Sequence, residues 1–292
     1  MFESRRGRQE TEEAGHPRFF SLMNTDNRPH ILLTNDDGIR SPGLWAAARA
    51  LSQIGYVTVT APRDQSSGMG RSLPSTSDGT IREEKVLVNG QEWSVYAVGG
   101  SPAQAVLHGV LEVAPQKPAL IVSGINYGEN VGLGVTISGT VGAAMEAAGL
   151  GFPALAVSLQ TETQYHLTHS EDIDFSAAAY FTAYFAERLL TKKFPPDVHL
   201  LKVEVPAHAT PETAWQIARL SRLRYYEPIR PKRDTWEQSA PISYQEAAVL
   251  ERENEDSDVY VLRKKQMVAV TPLNLDMTAR VSFPDFEKFL RE

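Results

Sequence analysis

Three features of the chain predict an α/β fold: an open, mostly parallel sheet with helices on both faces. Strand-like and helix-like segments alternate from His30 to Pro206. The strand segments are short, continuous apolar runs, such as His30-Ile31-Leu32-Leu33-Thr34, the pattern of strands covered on both sides. Polar, glycine-bearing segments follow several of these strands directly, at the edge where parallel sheets collect their ligands.

Residues 1–29 precede this pattern. They are polar and charged (Arg5, Arg6, Arg8, Glu10, Glu12, Glu13), with bulk only at Phe19, Phe20 and Leu22, and are expected to form a disordered extension. His30 to Thr34 is the first strand. Ser41 to Ile54 spaces Leu44, Trp45, Ala48 and Leu51 as one face of a helix. Val57 to Thr60 is a second strand, followed by the polar loop Arg63 to Ser72. Ile81 to Val88 and Glu92 to Val98 flank Asn89-Gly90, a hairpin signal, and the hairpin is expected to project from the sheet. Ser101-Pro102 supplies cap and first-turn chemistry for a helix from Ala103 to Val113. Ala119 to Val122 reads as a strand, Ser123 to Gly139 as a glycine-rich loop, and Thr140 to Ala148 as a close-packing helix. Ala154 to Ser158, Phe175 to Leu190 and Val198 to Val205 continue as strand, helix and strand. After Pro206 the pattern weakens to a basic, aromatic stretch (Arg219 to Arg233), a strand at Met267 to Thr271 and a short helix at Asp285 to Leu290. The core is therefore assigned to residues 30–206 and an appended C-terminal segment to residues 207–292.

Composition narrows the functional classes. The 292 residues carry a formal charge of -7, which offers no general attraction for nucleic acid or an anionic membrane. The chain has no cysteine, which removes disulfides, thiolate catalysis and zinc-thiolate sites. No apolar run is long enough to span a bilayer and the N-terminus lacks a secretory signal, so the expected location is the cytoplasm.

Four segments carry candidate chemistry. Asn35-Asp36-Asp37-Gly38 ends the first strand. It fits an ordinary turn, but adjacent carboxylates repel each other unless a cation lies between them, and Gly38 permits the immediate chain reversal that brings both to one ion. Pro62 to Ser72 offers hydroxyls as neutral oxygen ligands and Arg71 as an anion contact; it also fits a flexible surface loop. Ser123 to Asn130 offers the Asn126 carbonyl oxygen among glycines that allow close backbone approach. Ser138-Gly139-Thr140 opens a helix, where free N–H groups and the positive dipole end suit an anion, though Ser and Thr cap helices generally. Together these make an all-oxygen set (Asp36, Asp37, Ser67, Asn126) suited to Mg²⁺, Mn²⁺ or Ca²⁺ beside a phosphate site. The seven histidines include none beside a candidate nucleophilic serine, and His166, His169, His199 and His208 fall outside these loops.

These stretches, in this order, resemble the SurE family of stationary-phase survival proteins, metal-dependent nucleoside-monophosphate phosphatases. The resemblance rests on Leu33-Thr34-Asn35-Asp36-Asp37-Gly38-Ile39, Ala61-Pro62 through Ser67-Gly68 to Ser72, Gly100-Ser101-Pro102-Ala103, Val122 to Asn130, Ser138-Gly139-Thr140-Val141 and Thr271-Pro272-Leu273-Asn274-Leu275-Asp276. It implies a Rossmann-like core and one divalent ion, Mg²⁺ or Mn²⁺, held by Asp36, Asp37, Ser67 and Asn126. It implies a phosphate cradle of Ser138, Gly139 and Thr140 with Asn35 close by, nucleoside 5′- and 3′-monophosphates as substrates, and a C-terminal segment exchanged between subunits of a homodimer or homotetramer. Arg71 and Lys202 depart from the family pattern, standing where many relatives carry histidine and asparagine. Asp36 and Asp37 are the expected catalytic residues, holding the ion and orienting the attacking water. A haloacid-dehalogenase-like phosphatase needs a second Asp two positions after the nucleophile, and that spacing fails here. The rival from another class is a non-catalytic, metal-dependent nucleotide-binding regulatory module.

Overall fold

The computed structural model describes residues 28–292. The extension expected over residues 1–29 lies outside the described residues, apart from its last two. The elements are β1 (His30–Thr34), α1 (Pro42–Leu51), β2 (Tyr56–Pro62), β3 (Ile81–Val88), β4 (Gln91–Val98), α2 (Pro102–His108), β5 (Leu120–Tyr127), α3 (Gly139–Gly149), β6 (Ala154–Leu159), α4 (Ser176–Thr191), β7 (Leu200–Val205), β8 (Trp215–Ile217), β9 (Tyr226–Ile229), β10 (Ser243–Glu246), α5 (Asp258–Arg263), β11 (Val268–Leu273) and α6 (Phe283–Arg291).

Nine strands form one sheet in the order β3-β4-β2-β1-β5-β6-β7-β11-β8. The central five, β2-β1-β5-β6-β7, are parallel neighbours, as the alternation of segments predicts. β1 shows why its apolar run is continuous. Ile31 and Leu33 join a layer with Leu44 and Leu51 of α1 and Phe181 and Phe185 of α4. Leu32, between them, packs on the opposite face with Val106 of α2 and Val141 and Met145 of α3. Each such side chain, fully buried, contributes about 1.5–3 kcal/mol, so both faces need apolar residues. The hairpin β3–β4 joins the edge of the sheet through three parallel pairs, Thr60↔Tyr96 to Pro62↔Val98, and its turn end runs on past β2.

Two expectations need correcting. β5 does not stop at Val122; it continues through Ser123-Gly124-Ile125-Asn126 to Tyr127, with a register shift against β6 between Ser123 and Asn126. Gly124 makes this possible. It has φ +137°, and a Cβ there would lie 2.3 Å from the Val157 carbonyl oxygen. The helix predicted over Ala103 to Val113 is α-helical only to His108, then passes into a single π turn at Gly109–Val113. Its start matches the cap chemistry, with Ser101 and Gln104 forming a reciprocal capping box.

Beyond Pro206, β11 pairs antiparallel with β7 and β8 pairs parallel with β11, so this part extends the core sheet. A third apolar cluster forms here, with Tyr225, Val249, Val259, Val261 and Leu262 packed around Val131 of the segment between β5 and α3. β9 and β10 form a separate two-stranded ribbon. α6 buries none of its residues. Among the described residues no helix is long and apolar enough to cross a membrane.

Candidate active site

Parallel pairing brings the carboxyl ends of β1, β2, β5 and β6 to one edge of the sheet, and the segments that follow them meet there. The turn after β1 is braced locally. Asn35 accepts the Gly38 N–H through Oδ1 and donates from Nδ2 to the Gly38 carbonyl oxygen, each at 3.2 Å. Gly38 has φ +95°, a conformation that favours glycine. The Ile39 N–H then donates to the Pro62 carbonyl oxygen at 2.8 Å, fastening the turn to the end of β2.

Asp36 and Asp37 leave this turn toward different partners. Asp36 meets the start of α3: the Thr140 hydroxyl donates to its Oδ1, and the N–H groups of Thr140 and Gly139 lie near enough to favour its charged form. The approach at Gly139 is close; a Cβ there would lie 2.7 Å from Asp36 Cβ. Asp37 meets the end of β5: Tyr127 N–H donates to Oδ2 at 3.3 Å, and Gln65 Nε2 donates to Oδ1 at 3.2 Å. Both aspartates are buried. Burial pushes the Asp36 carboxyl up to about 6, the donors of Thr140 and Gly139 holding it below where burial alone would put it. Burial, then the neighbouring Asp36 charge, pushes Asp37 well above the usual carboxylate range.

The candidate neutral oxygen donors follow on neighbouring segments, Asn126 one residue before the Tyr127 N–H that bonds Asp37 and Ser67 one residue after the Ser66 N–H that bonds Asp36. Asn126 spends its amide nitrogen on the carbonyl oxygens of Tyr127 (3.1 Å) and Gly128 (2.6 Å). That fixes the amide, and no donor among the described residues bonds its Oδ1. Ser66 N–H donates to the Asp36 carbonyl oxygen at 2.7 Å, so Ser67 is the next residue after a direct contact with the aspartate turn, and it is exposed. The loop Arg63 to Ser72 continues onto α3: Gly70 N–H donates to the Ile137 carbonyl oxygen at 3.0 Å, and Gly142 leaves room for the Gly70 backbone. Ser138 caps α3, its hydroxyl accepting the Val141 N–H at 3.1 Å.

Among the described residues no three His, Cys, Asp or Glu side chains converge on one point. The candidate ligand set is instead two carboxylates and neutral oxygens. Two buried carboxylates whose charged forms are disfavoured, with an amide oxygen without a donor on the adjoining strand end, fit a hard divalent cation.

Some side chains depart from expectation. Arg71 does not face the site as an anion contact; its Nε pairs with Glu146 Oε2 at 2.6 Å along the outer part of α3. The histidines set aside in the sequence include two that touch this edge. His169 Nε2 donates to the Asp37 carbonyl oxygen at 2.8 Å, which requires the proton on that nitrogen. His166 accepts the second bond of Gln65 Nε2 at its carbonyl oxygen (2.9 Å), and its ring meets Tyr244 Oη at 3.1 Å. Both histidines lie in the segment after β6, and the position of that segment after a parallel strand is the sequence signal that could have singled them out.

Known proteins are similar to this chain over most of its length. The family model described as "Survival protein SurE" matches residues 31–227. A relative from Thermococcus kodakarensis, described as "5'-nucleotidase SurE", is 40% identical over 260 residues, covering 89% of this chain and 98% of its own. A relative of the same description from Methanosarcina barkeri is 36% identical over 272 residues, covering 90% and 98%. The crystal structure of the SurE protein from Aquifex aeolicus matches with a TM-score of 0.71 and 32% identity, covering 90% of this chain and all of that one.

Proposed function

This chain belongs to the SurE family, and on that premise we propose that it is a 5′-nucleotidase, hydrolysing the phosphomonoester of nucleoside monophosphates with the help of one divalent ion. The observation that carries the reading is the meeting of Asp36 with the first turn of α3. That contact supports a cation site at the aspartates directly against a helix start able to bind phosphate.

In this reading Asp36, Asp37, Ser67 and Asn126 hold the ion, Mg²⁺ or Mn²⁺. When bound, such an ion polarises a phosphoryl oxygen and lowers the pKa of its water. The chain's own groups do the rest. The Ser138 hydroxyl and the N–H groups at the start of α3 receive the phosphoryl oxygens and stabilise the charge that builds on them, while the Thr140 hydroxyl, donated to Asp36, holds that carboxylate against the helix start. Asp36 and Asp37 orient the attacking water. Asn35, committed to Gly38 on both sides of its amide, serves by holding the aspartate turn in shape.

The wider reading includes assembly and location. α6 exposes Phe283, Phe286, Phe289 and Leu290 along a helix with no buried residue, which supports exchange of the end of the C-terminal segment (residues 207–292) within a homodimer or homotetramer, while β8, α5 and β11 of that segment pack on this chain's own sheet. A cytoplasmic location accompanies it, in keeping with a chain free of cysteine.

Phosphate release from AMP and GMP, measured after EDTA treatment and after Mn²⁺ or Mg²⁺ is restored, tests the activity. Release is expected only with the metal. Metal-dependent nucleotide binding without any release would instead support a regulatory module.

A further inference from the structure

The segment from Asn126 to Ser138 joins the expected cation ligand at the end of β5 to the phosphate cradle at the start of α3. Its middle is held from beneath by three charged side chains that the reaction does not use. Lys202 and Glu204 lie two residues apart on β7, and Asp258 is the first residue of α5; all three side chains are fully buried. Lys202 Nζ reaches Asp258 Oδ2 at 3.0 Å and Glu204 Oε1 at 3.4 Å.

The remaining acceptor capacity of the carboxylates is turned on backbone. Glu204 Oε2 accepts the Asn130 N–H at 2.9 Å. Asp258 Oδ2 accepts the Gly132 N–H at 2.9 Å, and its Oδ1 accepts Ser221 N–H at 2.9 Å and Val259 N–H at 3.0 Å. Asn130 also donates from Nδ2 to Ser158 Oγ at 3.0 Å, and that hydroxyl donates on to Glu204. Between the two held amides, Val131 is buried in the C-terminal apolar cluster.

Burying two carboxylates is costly without a nearby cation and a full set of donors, and this cluster has both. Such a network tolerates little displacement, because every shift breaks a bond to a buried charge. An exposed loop bonded to water has no comparable restraint.

We propose that Lys202, Glu204 and Asp258 are positioning residues for the reaction: the buried triad holds Asn130 and Gly132 and so sets the placement of Asn126 and Ser138 at the two ends of the segment. The proposal rests on the nucleotidase reading of the site. It also links the core to the C-terminal segment, since Asp258 comes from residues 207–292 and Lys202 and Glu204 from residues 30–206.

Isosteric amides test it. Asp258→Asn presents one oxygen where two now face four donors, so an NH₂ group must confront either the Gly132 and Lys202 donors or the Ser221 and Val259 donors. Glu204→Gln sets the same conflict against Asn130 or Lys202. Three readouts are compared with wild type: the Mn²⁺ Kd of EDTA-stripped protein, KM and kcat for AMP, and amide hydrogen exchange at Asn130 and Gly132 without metal. Phe185→Leu, in the core layer on α4, is the control for general destabilisation and is compared at a matched loss of Tm.

The expected result for Asp258→Asn is Mn²⁺ binding weaker by about tenfold or more, the range typical of lost groups behind metal ligands, with a raised KM and faster exchange at both amides. Glu204→Gln shifts the same readouts in the same direction and decides the matter if Asp258→Asn does not fold. Phe185→Leu leaves all three unchanged. A folded amide variant with wild-type Mn²⁺ affinity and KM overturns the proposal, as does a Phe185→Leu protein with the same defects. Absence of AMP hydrolysis in the wild type would sink the nucleotidase reading instead.

Discussion

Stripping the divalent ion should make stability depend on pH in a way that the ion reverses. The Asp36 carboxyl sits at about 6 in the folded protein against 3.8 for an ordinary aspartate. A raised carboxylate pKa means that the folded state binds more protons than the unfolded state between those values. Metal-free stability therefore falls as pH rises from about 4 to 6. Roughly two pKa units at about 1.36 kcal/mol each make this about 3 kcal/mol. Asp37 lies in the same direction, so the decline extends above pH 6. Glu204, pushed up to about 7 by burial, also declines, but it stands outside the cation site and is not one of its ligands. A cation between the aspartates favours their charged forms and so removes the Asp36 and Asp37 part alone. The difference between Tm in Mn²⁺ and Tm in EDTA should accordingly be small near pH 4.5 and grow by about 6–12 °C by pH 7.5, at about 2–4 °C per kcal/mol for a chain this long. Scanning calorimetry across that range, with subsaturating metal excluded by titration, measures it. A Mn²⁺ effect that is flat with pH would refute the assignment of the aspartate pair as the cation site.

Other perturbations address single contacts. Thr140→Val removes the hydroxyl that donates to Asp36 while keeping the shape; a lost bond to a charged group is worth about 1.5–3 kcal/mol, so kcat/KM for AMP should fall about 10- to 100-fold with the fold intact by circular dichroism. Gly139→Ala places a Cβ 2.7 Å from Asp36 Cβ and should lower kcat/KM and cost about 1–3 kcal/mol in denaturant unfolding. Gly134→Ala, with open space at the same test, should leave kcat/KM at the wild-type value. Pairing Phe286→Glu with Phe289→Glu on α6 should reduce the mass found by light scattering to that of a smaller species, because both side chains are exposed, stacked on each other with ring centroids 5.9 Å apart on a helix with no buried residue.

The arrangement at the sheet edge gives each aspartate its own anchor. Successive residues of an extended strand face opposite ways, and Asp36 and Asp37 keep that habit as they leave β1, one bonded to α3 and the other to β5 and Gln65. Each carboxylate thus ties one wall of the site to the turn. Gln65 completes the closure, its single Nε2 bridging Asp37 and the His166 carbonyl oxygen from the segment after β6.

Much of this could be read from residue order. Continuous apolar runs announce strands covered on both faces, and Ser101-Pro102 announces a helix start, because hydrophobic burial and cap chemistry act over a few neighbouring residues. The aspartate pair and the Ser138-Gly139-Thr140 helix start were legible for the same reason. The continuation of β5 through Ser123-Gly124-Ile125-Asn126 was not, since glycine-rich composition normally marks a loop; only the closeness of the Val157 carbonyl oxygen shows why glycine stands inside a strand. After Pro206, β11 and α6 were legible, but β8, β9, β10 and α5 were not, because three to six residues carry no usable periodicity. Arg71, read as a possible anion contact, turns to Glu146 because the helix that carries that partner is 75 residues away in the chain. The same holds for His169 against Asp37, and for Lys202 between Glu204 and Asp258. What the sequence by itself determined was the set of chemical groups and the edge on which they gather, because those follow from local pattern and strand polarity. Which groups touch was decided by the tertiary structure alone, because distances and burial depend on packing between segments that the chain keeps far apart.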